Sequence, residues 1–355
     1  MSLFVRVWYR IDLKPTLWVF LFFFLAINSS LARAPLTSGW TLVWSDEFDG
    51  TNGSAPKNTN WLFDFGGHGW GNNELQSYTS RRTNSWIQDG NLVIQAIKET
   101  YTGNDGITRQ YTSARLKSQT RQSWAYGRIE ARIKPPTGQG VWPAFWTLGD
   151  EFATTGWPIC GEIDIMENNG REPGRNYGTL HGPGYSGANN LSRAFLFPPG
   201  VTADQDYHLY AVEWETNVIR WSVDNQVYFS LTPANLPPGT QWVFTKPHFL
   251  LLNIAVGGNW PGPPDSSTVF PKKMFVDYVR VYARSQVLPP VLEIMRNGTN
   301  QPSIRWSGHF PHARLIQYSA TSSTWVPLIP PSELTNNFFQ QPVPEGFFGL
   351  SWPLP

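Results

Sequence analysis

The sequence predicts an all-β protein, built as two stacked antiparallel sheets or a barrel. Three observations carry that expectation. Apolar residues alternate with polar ones at period two in one segment after another. No stretch sustains a helical period. The 31 Gly and 30 Pro among 355 residues supply turns throughout. In order, strand-like runs occupy residues 92–97, 110–116, 128–133, 144–148, 210–215, 218–223, 249–256 and 275–281. Turn clusters separate them, such as Thr102-Gly103-Asn104-Asp105-Gly106, Thr137-Gly138-Gln139-Gly140 and Asp224-Asn225.

Composition narrows the function. A net charge of +1, with 15% charged residues and no Lys/Arg blocks, leaves no basic face and argues against nucleic acid as a partner. A hydrophobic content of 41% is enough for a full core and sets aside wholesale disorder. The 18 Trp are core rings or stacking surfaces in a cleft. Cys160 is the lone cysteine, so no intrachain disulfide and no thiolate zinc cage can form.

The N-terminus reads as an export signal over residues 1–32. Arg6, Arg10 and Lys14 precede an apolar run from Leu17 to Ile27 that is short for a bilayer span, and cleavage is expected after Ala32. An uncleaved anchor is the alternative. Cleavage removes Arg6, Arg10 and Lys14 with Asp12 and leaves a net charge of −1 and no further membrane span. The expected product is a secreted monomer, extracellular or periplasmic. A main domain is expected over residues 37–285. A small β-rich accessory module follows Leu288-Pro289-Pro290, over residues 289–355.

The informative segment is Gly161-Glu162-Ile163-Asp164-Ile165-Met166-Glu167-Asn168. Strict alternation puts Glu162 and Asp164 on one face but turns Glu167 into the core, where an ionised carboxylate is very costly. One extra residue, a bulge near Ile165-Met166, brings all three acids to one side. Three carboxyls on one face repel unless they share a proton, hold a metal or serve a reaction. Glycoside hydrolysis with retention is such a reaction: it needs one carboxylate nucleophile and one protonated acid/base side by side. A solvated acidic face and a metal site remain open readings of the triplet.

This segment resembles the signature of glycoside hydrolase family 16, in its bulged, laminarinase-like branch. Trp142-Pro143-Ala144-Phe145-Trp146, Gly127-Arg128-Ile129-Glu130-Ala131-Arg132, Ser45-Asp46-Glu47-Phe48 and Asn72-Asn73-Glu74-Leu75-Gln76 are similar to family segments. So are Asn253-Ile254-Ala255-Val256-Gly257-Gly258-Asn259-Trp260 and Phe275-Val276-Asp277-Tyr278-Val279-Arg280-Val281. The resemblance implies a concanavalin-like jelly-roll sandwich that cleaves internal β-1,3 bonds of a β-glucan. In that reading Glu162 is the nucleophile, Glu167 the acid/base and Asp164 the assisting acid. It does not separate laminarinases from bulged agarases or carrageenases, and a non-catalytic β-glucan-binding protein shares the sandwich.

Trp142 and Trp146 lie four apart on one strand, so both face one side and offer stacking surfaces for sugars. Trp260 and Trp157 lie in Gly/Pro-rich loops, where a large ring suits a cleft wall. His181 returns beside the acidic strand if a hairpin follows it. The resemblance places His181, Asn73 and Arg115 in the cleft. It also implies a structural Ca2+ site from Glu47, the Gly90 carbonyl and Asp277. Catalysis needs no cofactor.

Overall fold

The computed structural model describes residues 39–285 and, beyond them, only short strands of backbone. The export signal expected at residues 1–32 lies outside the described residues. Trp40–Arg284 forms one compact unit. It contains two sheets. The larger, 10-stranded sheet runs Gln226–Leu231, Val218–Val223, His208–Glu215, Gly127–Lys134, Lys272–Arg284, Asn91–Thr102, Thr108–Ser113, Gln76–Tyr78. Trp40–Asp46 joins it on Lys272–Arg284, and Ser85–Gln88 joins on Asn91–Thr102. The 7-stranded sheet runs Leu191–Leu196, Arg175–His181, Glu162–Glu167, Val141–Gly149, His248–Val256, Arg115–Lys117, Leu62–Phe63. Neighbours are antiparallel except Gln76–Tyr78 with Thr108–Ser113.

Period two explains why these strands form a sandwich. Ile129, Val212 and Val279 of the larger sheet share one core with Phe145, Ile163 and Leu252 of the smaller, all fully buried. Each such side chain contributes about 1.5–3 kcal/mol by leaving water. The alternate residues of the smaller sheet, including Trp142, Ala144, Trp146 and Leu148, face outward and line a cleft.

One expected strand needs correction. The run 110–116 is not one strand: Thr108–Ser113 and Arg115–Lys117 belong to different sheets. Fully buried Ala114 forms the corner, and the alternation passes through it unchanged. Phe152–Thr155 is a single helical turn, the one α-helix among the described residues. No helix among them is long and apolar enough to cross a membrane.

The last residues form part of a second unit, Met1–Gly39 with Ser285–Pro355. Its strands make two three-stranded sheets. Leu292–Arg296, Pro302–Trp306 and Phe338–Phe339 form one; Thr324–Pro327, Arg314–Ser319 and Phe348–Ser351 form the other.

Candidate active site

The acidic strand carries the bulge. Against Val141–Gly149 its register runs Glu162 to Leu148, Ile163 to Thr147 and Asp164 to Trp146, then resumes with Met166 to Phe145 and Glu167 to Ala144. Against Arg175–His181 the same shift falls between Asp164 and Glu167. Ile163, Ile165 and Met166 are therefore all buried in the core, while Glu162, Asp164 and Glu167 all line the cleft.

Residues distant in sequence hold the bulge in place. A bulge interrupts the ladder, and the Asp164 carbonyl accepts from the Trp221 indole Nε1–H at 2.8 Å. Trp221 comes from the other sheet and is fully buried. Gly178, across from the bulge, lets that ring approach: a Cβ there would stand 2.5 Å from both Trp221 Cδ1 and the Tyr228 hydroxyl.

The cleft has a volume of about 980 Å3. It crosses the smaller sheet from Lys117 to Ser192. At about 4.8 Å per strand, that crossing of six strands measures roughly 24 Å. Trp142 Nε1 donates to Glu167 Oε1 at 3.0 Å, and the Thr179 hydroxyl donates to Glu167 Oε2 at 3.2 Å. Trp157 Nε1 donates to Glu162 Oε2 at 2.6 Å. His181, paired with Glu162 across the strands, sets Nε2 3.2 Å from Asp164 Oδ2 and 4.0 Å from Glu162 Oε1.

Burial governs the electrostatics. It pushes Glu162 up to about 8, helped by the Asp164 charge and opposed by His181 and the Trp157 indole. It pushes Glu167 up to about 7, with the Glu162 charge acting in the same sense, while His181, Trp142 and Thr179 oppose. Asp164 is pushed well above the carboxylate range by burial first and the Glu167 charge second. Protons are thus retained near neutrality and shared within the group, with Asp164 their most buried holder.

Most residues singled out in the sequence meet here. Arg115, Trp142, Trp146, His181 and Trp260 line the cleft with the three acids. Trp260 packs edge-on against Trp142 at 5.4 Å and against Tyr177 at 5.1 Å. The Arg115 guanidinium lies 4.7 Å from the centre of Trp70 and 4.8 Å from that of Trp146. Asn73 is the exception. It is exposed, with φ 57°, and its Nδ2 donates at 2.8 Å to Oδ1 of Asn259, which lines the cleft together with Asn72.

Donor atoms of Glu162, Asp164 and His181 lie within 4.8 Å of one another. Glu167 stays out of that group, held by Trp142 and Thr179, so the three acids do not converge as ligands on one point. The residues expected to hold calcium lie outside the cleft lining. Both Glu47 oxygens accept from Arg280, at 2.9 and 2.7 Å, and Asp277 accepts from Arg132 at 2.8 Å. Each carboxylate is already balanced by a guanidinium, an arrangement that does not fit a hard, multiply charged cation.

Tyr177 and Thr179, which the sequence does not single out as site residues, also line the cleft, as does Trp70 of the segment 66–74 that resembles the family. Period two from His181 would have found Tyr177 and Thr179. Trp70 sits at φ 51° between Gly69 and Gly71.

The sequence profile described as "Glycosyl hydrolases family 16" matches residues 72–280. The chain is 43% identical over 260 residues to "Beta-glucanase" of Rhodothermus marinus, covering 70% of this chain and 87% of that one. It is 39% identical over 266 residues to "Glucan endo-1,3-beta-glucosidase A1" of Niallia circulans, covering 70% of this chain but 38% of that longer one. In structure it is similar to the catalytic domain of an endo-1,3-beta-glucanase (laminarinase) from Thermotoga petrophila RKU-1. The TM-score is 0.66 and the identity 45%, covering 70% of this chain and 99% of the other. The two packed sheets are the jelly-roll sandwich of such laminarinases.

Proposed function

The chain belongs to glycosyl hydrolases family 16, and from that premise we propose that it cleaves internal β-1,3-glucosidic bonds of laminarin-type glucans with retention, by double displacement, outside the cytoplasm. One observation carries the reading: the bulge brings Glu162, Asp164 and Glu167 into one tryptophan-lined cleft.

The chemistry follows from the partners of each acid. In the first step a Glu162 oxygen attacks the anomeric carbon. The bond to the leaving oxygen breaks, and that oxygen takes the proton held by Glu167. Asp164 keeps the shared proton toward Glu162, so that the nucleophile carries the charge. The product is a glycosyl ester on Glu162. In the second step Glu167, now a carboxylate, takes a proton from water, and the water oxygen displaces Glu162. Trp142 and Thr179 donate to the two oxygens of Glu167 and position it for this work.

A cleft lined across six strands of the smaller sheet has room for several sugar residues of a polymer, which supports internal cleavage. The rings of Trp142, Trp146 and Trp260 supply apolar faces for pyranose stacking. Export rests on the basic and then apolar N-terminal residues and on the size of the substrate, which cannot enter a cell intact.

A product profile on defined oligosaccharides tests the reading, with β-1,3, mixed-linkage, agar and carrageenan substrates run in parallel. Short β-1,3 oligosaccharides from mid-chain cuts are expected. Binding of β-1,3-glucan without new reducing ends would replace the enzyme by a glucan-binding protein. Turnover confined to another glycan would move the substrate but keep the chemistry.

A further inference from the structure

The segment Asn72-Asn73-Glu74-Leu75-Gln76 holds a carboxylate that the reaction above does not use. Glu74 is 5% exposed. It accepts from Gln76 Nε2 at 2.6 Å and from the Tyr78 hydroxyl at 3.1 Å. Gln76 is itself tied down, because its Oε1 accepts from the Val256 backbone N–H at 2.7 Å. The chain of bonds continues away from Glu74. The Tyr78 oxygen accepts from Asn253 Nδ2 at 3.2 Å, and Asn253 Oδ1 accepts from Trp146 Nε1 at 2.8 Å.

Every link has one direction. An indole N–H and an amide N–H can only donate, and a carboxylate can only accept. With Glu74 as terminal acceptor, Tyr78 must donate to it, its oxygen is left to accept from Asn253, and the Asn253 carbonyl is left for Trp146. No other orientation of the Asn253 amide satisfies both neighbours. Tyr78 is 1% exposed and Asn253 6%, so an unmet group in this chain has little access to water as a substitute.

The far end of the chain is a cleft ring. Trp146 pairs with Asp164 in the sheet and lies against the Arg115 guanidinium on the cleft side. Its indole can pivot about two side-chain torsions. The bond to Asn253 fixes the plane that a pyranose face would meet, next to the nucleophile's partner.

We propose that Glu74 is a positioning residue for sugar binding: through Tyr78 and Asn253 it fixes the plane of the Trp146 ring on which a glucan residue stacks. This rests on the reading of the cleft as a β-glucan site. Glu74 itself also lines the cleft, and the proposed role runs through these bonds rather than through direct contact with the sugar. Its role is to make the last acceptor in the chain strong enough to order the donors before it.

The test combines two measurements. The first follows the Trp146 Nε1–H resonance in 15N-labelled protein, assigned by Trp146→Phe, in Glu74→Ala, Glu74→Gln and Tyr78→Phe. The second measures oligosaccharide affinity by calorimetry on the Glu162→Gln background, with and without Trp146→Ala. Glu74→Ala and Tyr78→Phe are expected to shift the resonance and raise Kd about tenfold, the loss of one ordered hydrogen bond. Glu74→Gln keeps an acceptor for Tyr78 and is expected to restore most of the affinity. On the Trp146→Ala background neither substitution should add a further loss.

An unmoved resonance, or losses that add fully to that of Trp146→Ala, would overturn the proposal. So would a shifted resonance with unchanged affinity. If no β-1,3 oligosaccharide binds but another pyranose oligosaccharide does, the glucan reading fails. The same cycle on that sugar then decides the role of Glu74. Tyr78→Phe conserves volume, so it remains informative if Glu74→Ala does not fold.

Discussion

The indole N–H of Trp157 donates to Glu162 Oε2 at 2.6 Å, although the ring itself is 44% exposed. A donor on this carboxylate favours its ionised form against the burial and the Asp164 charge that raise its proton affinity. Trp157→Phe keeps the ring and removes the donor. Glu162 then holds its proton to higher pH, so the acid limb of kcat/KM is expected to move upward. At pH 6 the rate should fall about tenfold, the order of one charge-assisted hydrogen bond. The pH–rate profile checks this. A uniform loss with an unmoved limb would assign Trp157 to substrate contact alone.

The bulge depends on a residue from the opposite sheet. Trp221→Phe leaves the buried Asp164 carbonyl without its 2.8 Å partner and is expected to cost about 1–3 kcal/mol in stability. Gly178→Ala should be at least as damaging, because the new Cβ meets the Trp221 ring. In both variants kcat should fall more than sugar affinity, since the spacing of Glu162 and Glu167 is what the bulge sets. Denaturant midpoints and oligosaccharide affinity, measured together, check both parts.

On the alkaline side, activity needs the proton on Glu167. Burial raises that group to about 7, so kcat/KM is expected to decline as pH rises past neutrality. A profile flat to pH 9 would contradict the assignment of Glu167 as the acid.

The acid cluster also sets a stability slope. Glu162 is raised to about 8 from 4.5, so the folded state binds its proton more tightly than the unfolded chain. Stability from this group is therefore fully present below pH 4.5 and is lost as pH climbs toward 8. Glu162→Gln removes this group's share of the slope, while Asp164 and Glu167, raised in the same sense, keep theirs. The variant should match the parent near pH 4.5 and exceed it by on the order of 1–3 kcal/mol at pH 8, or ~5 °C in Tm. His248 has the opposite sign. Burial lowers it to about 3, so its contribution is lost as pH falls below 6.5. Thermal melts from pH 4.5 to 8 separate the two.

Several features could be read before any coordinates. The bulge was legible because a charge at 167 facing the core has no physical remedy other than a shifted register. Trp142 and Trp146 were legible from period two, and His181 from the length of the return loop. The corner at Ala114 was not, because alternation looks the same whether a strand continues or changes sheets. Asn73 meets the cleft through Asn259, a partner 186 residues away that local sequence does not reveal. Trp221 and the Tyr78–Asn253–Trp146 chain were invisible for another reason: their partners are separated by 57 to 175 residues, and only the packed sandwich brings them together.

The stereochemistry of the first product tests the central arrangement most directly. Proton NMR of laminarin hydrolysis, recorded within the first minutes before mutarotation, reports which anomer forms first. Glu162 and Glu167 working across one bond by double displacement predict the β anomer first, with the α anomer growing in later. An α anomer appearing first would mean direct attack by water, and would contradict Glu162 as the nucleophile.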